Sequence, residues 1–198
     1  MTTTIGILAL QGGVAEHAAL LERCGAAVRL VKTPAGLDGL DGLVLPGGES
    51  TTMTLGIERE GLREPLREFV GSGRPVLATC AGLILLDREH LDVLPIRCER
   101  NAFGRQTRSF ESDLDVAGIA GGPVHGVFIR APKVIDLDPG VEITARADDA
   151  IVGVRSGATE GYAFHPELTD DDRIHRAFVT RVGAADVAPP AAAATASS

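Results

Sequence analysis

Apolar and polar positions along the first half of the chain follow a repeating order. Short continuous apolar runs give way to stretches in which apolar residues recur three or four positions apart. Ile5–Leu10 is such a run and predicts a strand buried on both faces, closed by the loop Gln11-Gly12-Gly13. Val14, Ala18 and Leu21 then fall on one helical face, and Gly25 supplies the stop. Val28–Val31 predicts a second strand, and Gly42–Leu45 a third that ends at Pro46-Gly47-Gly48. A helical stretch over 51–69, broken near Gly61, leads to a fourth strand that runs up to Cys80, and a further helix begins directly after it. This βαβα order predicts a mainly parallel sheet with helices on both faces.

The second half changes character. From Val93 to Phe164 short β-like runs dominate, among them Val127–Arg130, Val141–Thr144 and Ala150–Val154, separated by the turns Gly121-Gly122-Pro123 and Asp138-Pro139-Gly140. They predict antiparallel strands added to the parallel sheet. Thr169-Asp170-Asp171-Asp172 marks the amino end of a last helix through about Val182. The Ala- and Pro-rich stretch 184–198 predicts a disordered tail, which leaves one domain over 1–183. There is no internal repeat.

Composition narrows the class without naming a chemistry. A chain of 198 residues with 44% hydrophobic and 23% charged residues suits one globular core. The net charge of −8 argues against a nucleic-acid or anionic membrane partner. Cys24, Cys80 and Cys98 are too few and too far apart for a disulfide framework or a zinc site. The start carries no basic leader, and no apolar run nears the ~18 residues of a membrane span, so a reducing cytoplasm is expected.

Chemistry concentrates at three places. Cys80 ends an apolar run and is followed at once by Ala81 and Gly82, as in a strand-to-helix turn that presents a nucleophile. The amino end of the helix behind it can lower the thiol pKa from its free value near ~8.5. Cys24 and Cys98 lack that setting and read as small hydrophobes. Pro46-Gly47-Gly48-Glu49-Ser50 closes another strand, and its two glycines can bring amide N–H groups to a developing oxyanion. The plainer reading is a turn in which Ser50 or Thr51 caps the next helix, and one loop can do both. Phe164-His165-Pro166-Glu167 offers a base, and a glutamate that an extended segment would place on the same side as the imidazole. His17, His90, His125 and His175 read as structural.

In this chain order the three elements resemble the class I, triad-type glutamine amidotransferases, and among them the glutaminase subunit of pyridoxal 5′-phosphate synthase. The segments that carry the resemblance begin with Leu10-Gln11-Gly12, Glu16-His17, Pro46-Gly47-Gly48-Glu49-Ser50-Thr51-Thr52 and Thr79-Cys80-Ala81-Gly82. They continue with Arg100-Asn101-Ala102-Phe103-Gly104-Arg105-Gln106, Phe128-Ile129-Arg130-Ala131-Pro132 and Phe164-His165-Pro166-Glu167-Leu168-Thr169. The resemblance implies a single-domain, flavodoxin-like α/β fold whose mainly parallel sheet carries additional antiparallel strands.

It also implies that Cys80 attacks the side-chain amide of L-glutamine, forming a thioester and releasing ammonia. His165 would act as base and then acid, oriented by Glu167. Gly48, Glu49, Ser50, Arg100, Ile129 and Arg130 match the glutamine-binding positions. Gly47, Gly48 and Ala81 belong to the oxyanion site, and Gln11, on the same sheet edge, is expected to pass a docking signal to it. Without the resemblance, Arg100, Arg105 and Arg130 read as surface or salt-bridge residues. The implied partner is a barrel-type, ammonia-accepting synthase subunit in a heteromeric complex, with no metal, cofactor, nucleic acid or membrane involved.

Two positions depart from the family pattern. Ala78 stands where a glycine is usual, and the link from the Cys80 helix to Arg100 is short, so a trimmed loop is expected there. Two alternatives stay open on the sequence. One is a cysteine peptidase or chaperone-like protein of related architecture. The other is a catalytically impaired subunit that only regulates the synthase.

Overall fold

Strands buried on both faces must be apolar at every position, and the first half of the chain obeys this closely. The computed structural model describes residues 2–103 and 109–185. Its elements in the first half are β1 (Thr4–Leu8), α1 (Val14–Arg23), β2 (Ala27–Val31), β3 (Gly42–Leu45), α2 (Ser50–Arg59), α3 (Arg63–Gly71), β4 (Val76–Thr79) and α4 (Ala81–Leu86). Every residue of β3 and β4 is buried. The predicted break between α2 and α3 falls where Gly61 adopts a φ of 67°, and α1 ends ahead of Gly25 at a φ of 89°.

The second half comprises β5 (Ile96–Glu99), β6 (Ser109–Leu114), β7 (Val124–Ile129), β8 (Lys133–Leu137), β9 (Glu142–Ala147), β10 (Ala150–Ser156), β11 (Thr159–Tyr162) and α5 (Arg173–Ala185). The main sheet has nine strands in the order β2-β1-β3-β4-β11-β10-β8-β5, with β9 paired to β10. Strands β2, β1, β3, β4 and β11 are mutually parallel, and the remainder joins antiparallel.

The expectation for the second half needs two corrections. β11 is not an antiparallel addition, because it pairs parallel with β4 from Thr159↔Val76 to Tyr162↔Thr79. β6 and β7 do not join the main sheet, since they pair only with each other. This ribbon is held down by an aromatic cluster in which Phe110 stacks on Phe128 at 4.3 Å and Phe128 meets Phe164 at 5.6 Å.

Helices cover both faces. A Cβ on Gly42 would press into Phe178 and Val182 of α5, whereas one on Gly161 would press into Leu83 of α4. Leu45, Ala78 and Gly161 lie in one row across β3, β4 and β11, and Gly42 points to the face opposite that row. α4 and α5 therefore sandwich the sheet. Ala78 is fully buried in that row beside Gly161, so its methyl group is taken up in the core.

α5 runs to Ala185, so residues 184 and 185 belong to a helix and not to the expected tail. The rest of that tail lies outside the described residues. The Asp171 carboxylate accepts the Arg173 N–H at 3.0 Å at the amino end of α5. Among the described residues, no helix is long and apolar enough to cross a membrane.

Close packing of α4 on β3 depends on one missing side chain. A Cβ at Gly82 would collide with the backbone carbonyl of Leu45, which sits in the centre of the sheet and has nowhere to go. Gly82→Ala is expected to destabilise the protein by about 1–3 kcal/mol, read as a lowered midpoint in urea unfolding.

Candidate active site

Four parallel strands deliver the site from their carboxyl ends. β1 leads to Gln11-Gly12-Gly13, β3 to Gly47–Ser50, β4 to Cys80 and β11 to His165. In an open α/β sheet this edge is where ligands bind. The side chains predicted for it converge on one cleft of about 380 Å³. Gln11, Gly47, Gly48, Glu49, Ser50, Cys80, Ala81, Arg100, Ile129, Arg130, His165 and Glu167 all line it.

Cys80 turns the chain from β4 into α4 with φ 47° and ψ −105°, a backbone conformation that costs a side-chain-bearing residue about 1–3 kcal/mol. Its N–H donates to the Tyr162 carbonyl at 2.8 Å, which extends the β4–β11 pairing by one more bond and holds the turn. His165 lies just beyond β11, and its N–H donates to the Val127 carbonyl of β7 at 2.8 Å. The imidazole Nδ1 donates to Glu167 Oε1 at 2.8 Å. Cys80 lies beside the same ring, where it favours the imidazolium, and its Sγ is 3.9 Å from the Ile129 carbonyl.

The route by which Glu167 arrives differs from the expected one. Pro166–Leu168 form a 3₁₀ turn and not an extended segment, so Glu167 reaches back to the ring around one tight turn. Proline suits the first position of that turn.

The electrostatics follow this geometry. Burial opposes a charged imidazole, but the hydrogen bonds to Cys80 and Glu167 and the negative charge of both outweigh it and hold the His165 pKa up at about 10. Burial likewise opposes the Glu167 carboxylate, yet His17 and His165 together pull its pKa below the ordinary value. Burial pushes the Cys98 thiol up, and burial with Asp172 raises that of Cys24, so neither is poised as a nucleophile.

The glycines of the two loops make room as well as turns. Gly12 has a φ of 101°, and a Cβ there would strike the Gly47 carbonyl. A Cβ on Gly47 would strike the His165 ring, and one on Gly48 the Gln11 amide oxygen. The Gly47 carbonyl accepts the Gly13 N–H at 3.1 Å, and the Gly47 N–H donates to Thr79 Oγ1 at 3.0 Å. Gly47's own amide is thus engaged. A trans peptide points the Gly48 N–H away from the Gly47 carbonyl, hence away from the Gly12-Gly13 loop.

Glu49, and not Ser50 or Thr51, caps α2. Its carboxylate accepts from Thr52 N at 2.7 Å, Thr52 Oγ1 at 2.8 Å and Thr51 N at 3.1 Å, and these bonds hold its pKa down at about 2. Ser50 Oγ is left buried with no hydrogen-bond partner among the described residues. Gln11 Oε1 accepts the Glu49 N–H at 2.6 Å, so the first loop grips the second.

Arg100 reaches the same loop, donating to Glu49 Oε1 at 3.1 Å and Thr51 Oγ1 at 3.2 Å. The short link before it is organised around the buried carboxylate of Asp87, which accepts the Glu89 N–H at 2.9 Å and the Cys98 N–H at 3.3 Å. Gly104, Arg105 and Gln106 lie outside the described residues. Arg130 lines the cleft with a φ of 46°.

Sequence reasoning passed over His17, Thr79 and His175, which lie directly behind the site. His17 and His175 are fully buried, with His17 Nδ1 2.9 Å from His175 Nε2. Their positions held a signal. His17 falls three residues after Val14 and four before Leu21, and His175 three before Phe178, so each sits on the inward stripe of its helix. Among the described residues, no group of three or more histidines, cysteines or carboxylates is arranged to hold a metal ion.

A parallel α/β sheet whose edge brings a strained cysteine together with a histidine hydrogen-bonded to a glutamate, beside a glycine-rich strand-to-helix loop, has the make-up of a triad-type glutamine amidotransferase. Residues 7–184 match the SNO glutamine amidotransferase family, and the chain belongs to it. It is 51% identical over 191 residues to the pyridoxal 5′-phosphate synthase subunit PdxT of Geobacillus kaustophilus, covering 93% of this chain and 97% of that one. The PdxT protein of Geobacillus thermodenitrificans is 51% identical over 185 residues, or 90% and 94% of the two chains. A crystal structure described as a glutamine amidotransferase superposes with a TM-score of 0.84 at 44% identity, covering 90% of this chain and 98% of the other. Membership sets aside the peptidase and chaperone-like alternatives.

The charge on His165 is held by its neighbours, so removing one should release it. His165 stays protonated until the pH rises through about 10. In Glu167→Gln the neutral amide no longer favours the cation, and the ring should lose its proton at distinctly lower pH. An NMR titration of the His165 ring nitrogens in both proteins checks this.

Proposed function

We propose that the chain hydrolyses L-glutamine to glutamate and ammonia, with residues 1–183 as the glutaminase unit, and passes the ammonia to a pyridoxal 5′-phosphate synthase subunit. The observation that carries the reading is one cleft in which Cys80 meets the hydrogen-bonded pair His165 and Glu167, together with Arg100 and Ser50. The names of the PdxT relatives supply the partner. The partner is taken to be a barrel-type enzyme that accepts ammonia. Three free cysteines suit a reducing cytoplasm.

The chemistry follows from the proton positions. The Cys80 thiolate adds to the side-chain carbonyl carbon of glutamine, and the oxygen gains the charge. The N–H groups of Gly48 and Ala81 receive that charge. The His165 imidazolium gives its proton to the amide nitrogen, the C–N bond breaks and ammonia leaves, which leaves a thioester on Cys80. Water then attacks the thioester as His165 takes its proton. Collapse of the second tetrahedral species breaks the C–S bond, releasing glutamate and restoring the Cys80–His165 pair. Throughout, Glu167 keeps the Nδ1–H tautomer and stabilises the imidazolium.

Substrate is held by complementary charge. Arg100, with its planar fork, pairs the α-carboxylate, and Glu49 pairs the α-ammonium, so the Arg100–Glu49 contact opens around a zwitterion. Ser50 Oγ, the Ile129 carbonyl and Arg130 complete the pocket wall.

Release of glutamate from glutamine, measured with and without the synthase subunit, tests the reading. Cys80→Ala should abolish release while complex formation, followed by size-exclusion chromatography, stays intact. No release from the wild-type chain in either condition would sink the reading. Gln11 holds the oxyanion loop through the Glu49 N–H. Gln11→Ala is therefore expected to lose most of the stimulation that the synthase gives, and full stimulation would refute that role.

A further inference from the structure

Behind the cleft, a second polar series runs through the core. Glu167 presents Oε1 to His165, and its other oxygen, Oε2, is buried with no hydrogen bond of its own among the described residues. His17 Nε2 lies 3.4 Å from Oε2 and 3.1 Å from Thr79 Oγ1. Thr79 Oγ1 in turn accepts the Gly47 N–H, where the glycine-rich loop begins. On its far side, His17 Nδ1 meets His175 Nε2 at 2.9 Å.

The tautomers of this series are set by what each nitrogen faces. Burial holds both rings neutral, against the pull of Glu167, and His175 is pushed down to about 3. Each neutral ring carries one N–H. His175 Nδ1 is buried without a partner among the described residues, and a bare N–H there would cost more than a bare lone pair. The His175 proton therefore sits on Nε2 and is donated to His17 Nδ1. That leaves the His17 proton on Nε2, donated to the Thr79 hydroxyl, with the negative carboxylate 3.4 Å away. The opposite arrangement would turn the Nε2 lone pair of His17 toward a carboxylate oxygen 3.4 Å away. It would also leave a buried N–H of His175 unmet.

We propose that His17 is a positioning residue. Its Nε2–H, fixed in place by His175, is donated to Thr79 beside the Glu167 carboxylate, and so ties the carboxylate that orients His165 to the start of the loop that receives the oxyanion. The proposal rests on the roles given to His165 and Glu167 above. A histidine that only filled the core would need no preferred tautomer, and any apolar group of similar size would replace it. A positioning histidine must donate from Nε2, which glutamine can imitate and leucine cannot.

Two measurements test this. In the wild-type protein labelled with ¹⁵N-histidine, long-range ¹H–¹⁵N correlation at neutral pH should find His17 as the Nε2–H tautomer, its signal identified by its loss in His17→Gln. The Nδ1–H tautomer would overturn the proposal, whatever the substrate proves to be. In glutamate-release kinetics with the synthase subunit present, His17→Leu should lower kcat by about 10- to 100-fold, the size of loss seen when a group that orients a functional histidine is removed. KM should stay within about twofold, because no substrate contact is touched. His17→Gln should recover most of the rate. Equal losses in the two variants, or no loss in either, would reduce His17 to packing. A wild-type chain with no glutaminase activity would instead overturn the function proposed above, leaving the tautomer result to stand alone.

Discussion

The parallel pairing of β4 with β11 is the constraint on which the site depends. Tyr162 pairs with Thr79, and the next bond of that ladder runs from the Cys80 N–H to the Tyr162 carbonyl. Two chain segments more than eighty residues apart thus end side by side, pointing the same way, with Cys80 on one and His165 just past the other. Antiparallel pairing would send His165 to the opposite edge. Since the turn at Cys80 is itself strained, the ladder bond and the burial of α4 on both β3 and β11 must offset a cost that no local interaction covers.

β11 keeps its central position despite its composition. Thr-Glu-Gly-Tyr is no apolar run, yet all four residues are buried. Glu160 is the reason this is tolerable. It is paired with Arg181 of α5 and Arg155 of β10, and it also accepts the Tyr162 hydroxyl at 3.3 Å. A buried carboxylate with several partners is affordable where an isolated one is not. Gly161, beside it, leaves space for Leu83, which lets α4 lie close enough to carry Cys80 to the edge. One strand thus supplies the register, the ionic anchor and the gap.

This also explains what could be read in the sequence and what could not. Strands β1, β3 and β4 are enclosed by neighbouring strands and helices, so their burial demanded continuous apolar runs, and those runs are visible. β11 hides because its burial is bought with ion pairs and a glycine instead of hydrophobic side chains. β6 escaped for another reason. In Ser-Phe-Glu-Ser-Asp-Leu the ribbon needs only one covered face, and a six-residue alternation is faint. Cys80, His165 and Glu167 stood out because each lies at distinctive backbone punctuation, and the fold brings all three to one cleft. The pairing of His165 with Glu167 was legible while its cause was not, since the contact comes from a 3₁₀ turn where an extended segment was expected. His17 and His175 read as structural because a histidine on an apolar helix stripe looks the same whether it fills space or directs a proton.

The glycine-rich loop gives these pieces a common purpose. It is held from two sides by side chains that belong to neither the loop nor the substrate. Gln11 grips it at the Glu49 N–H and Thr79 grips it at the Gly47 N–H, and between these two bonds lies the Gly48 amide. The Gln11 grip sits on the solvent side, within reach of a docking protein, and the Thr79 grip sits in the core against His17. A loop clamped only in the core would be fixed for good, and one clamped only at the surface would drift relative to the nucleophile. With one clamp buried and the other accessible, the distance of the loop from Cys80 and His165 is set from within while its outer grip stays open to solvent. Under the proposed function, that division of labour links docking at Gln11 to the loop without moving Cys80, His165 or Glu167.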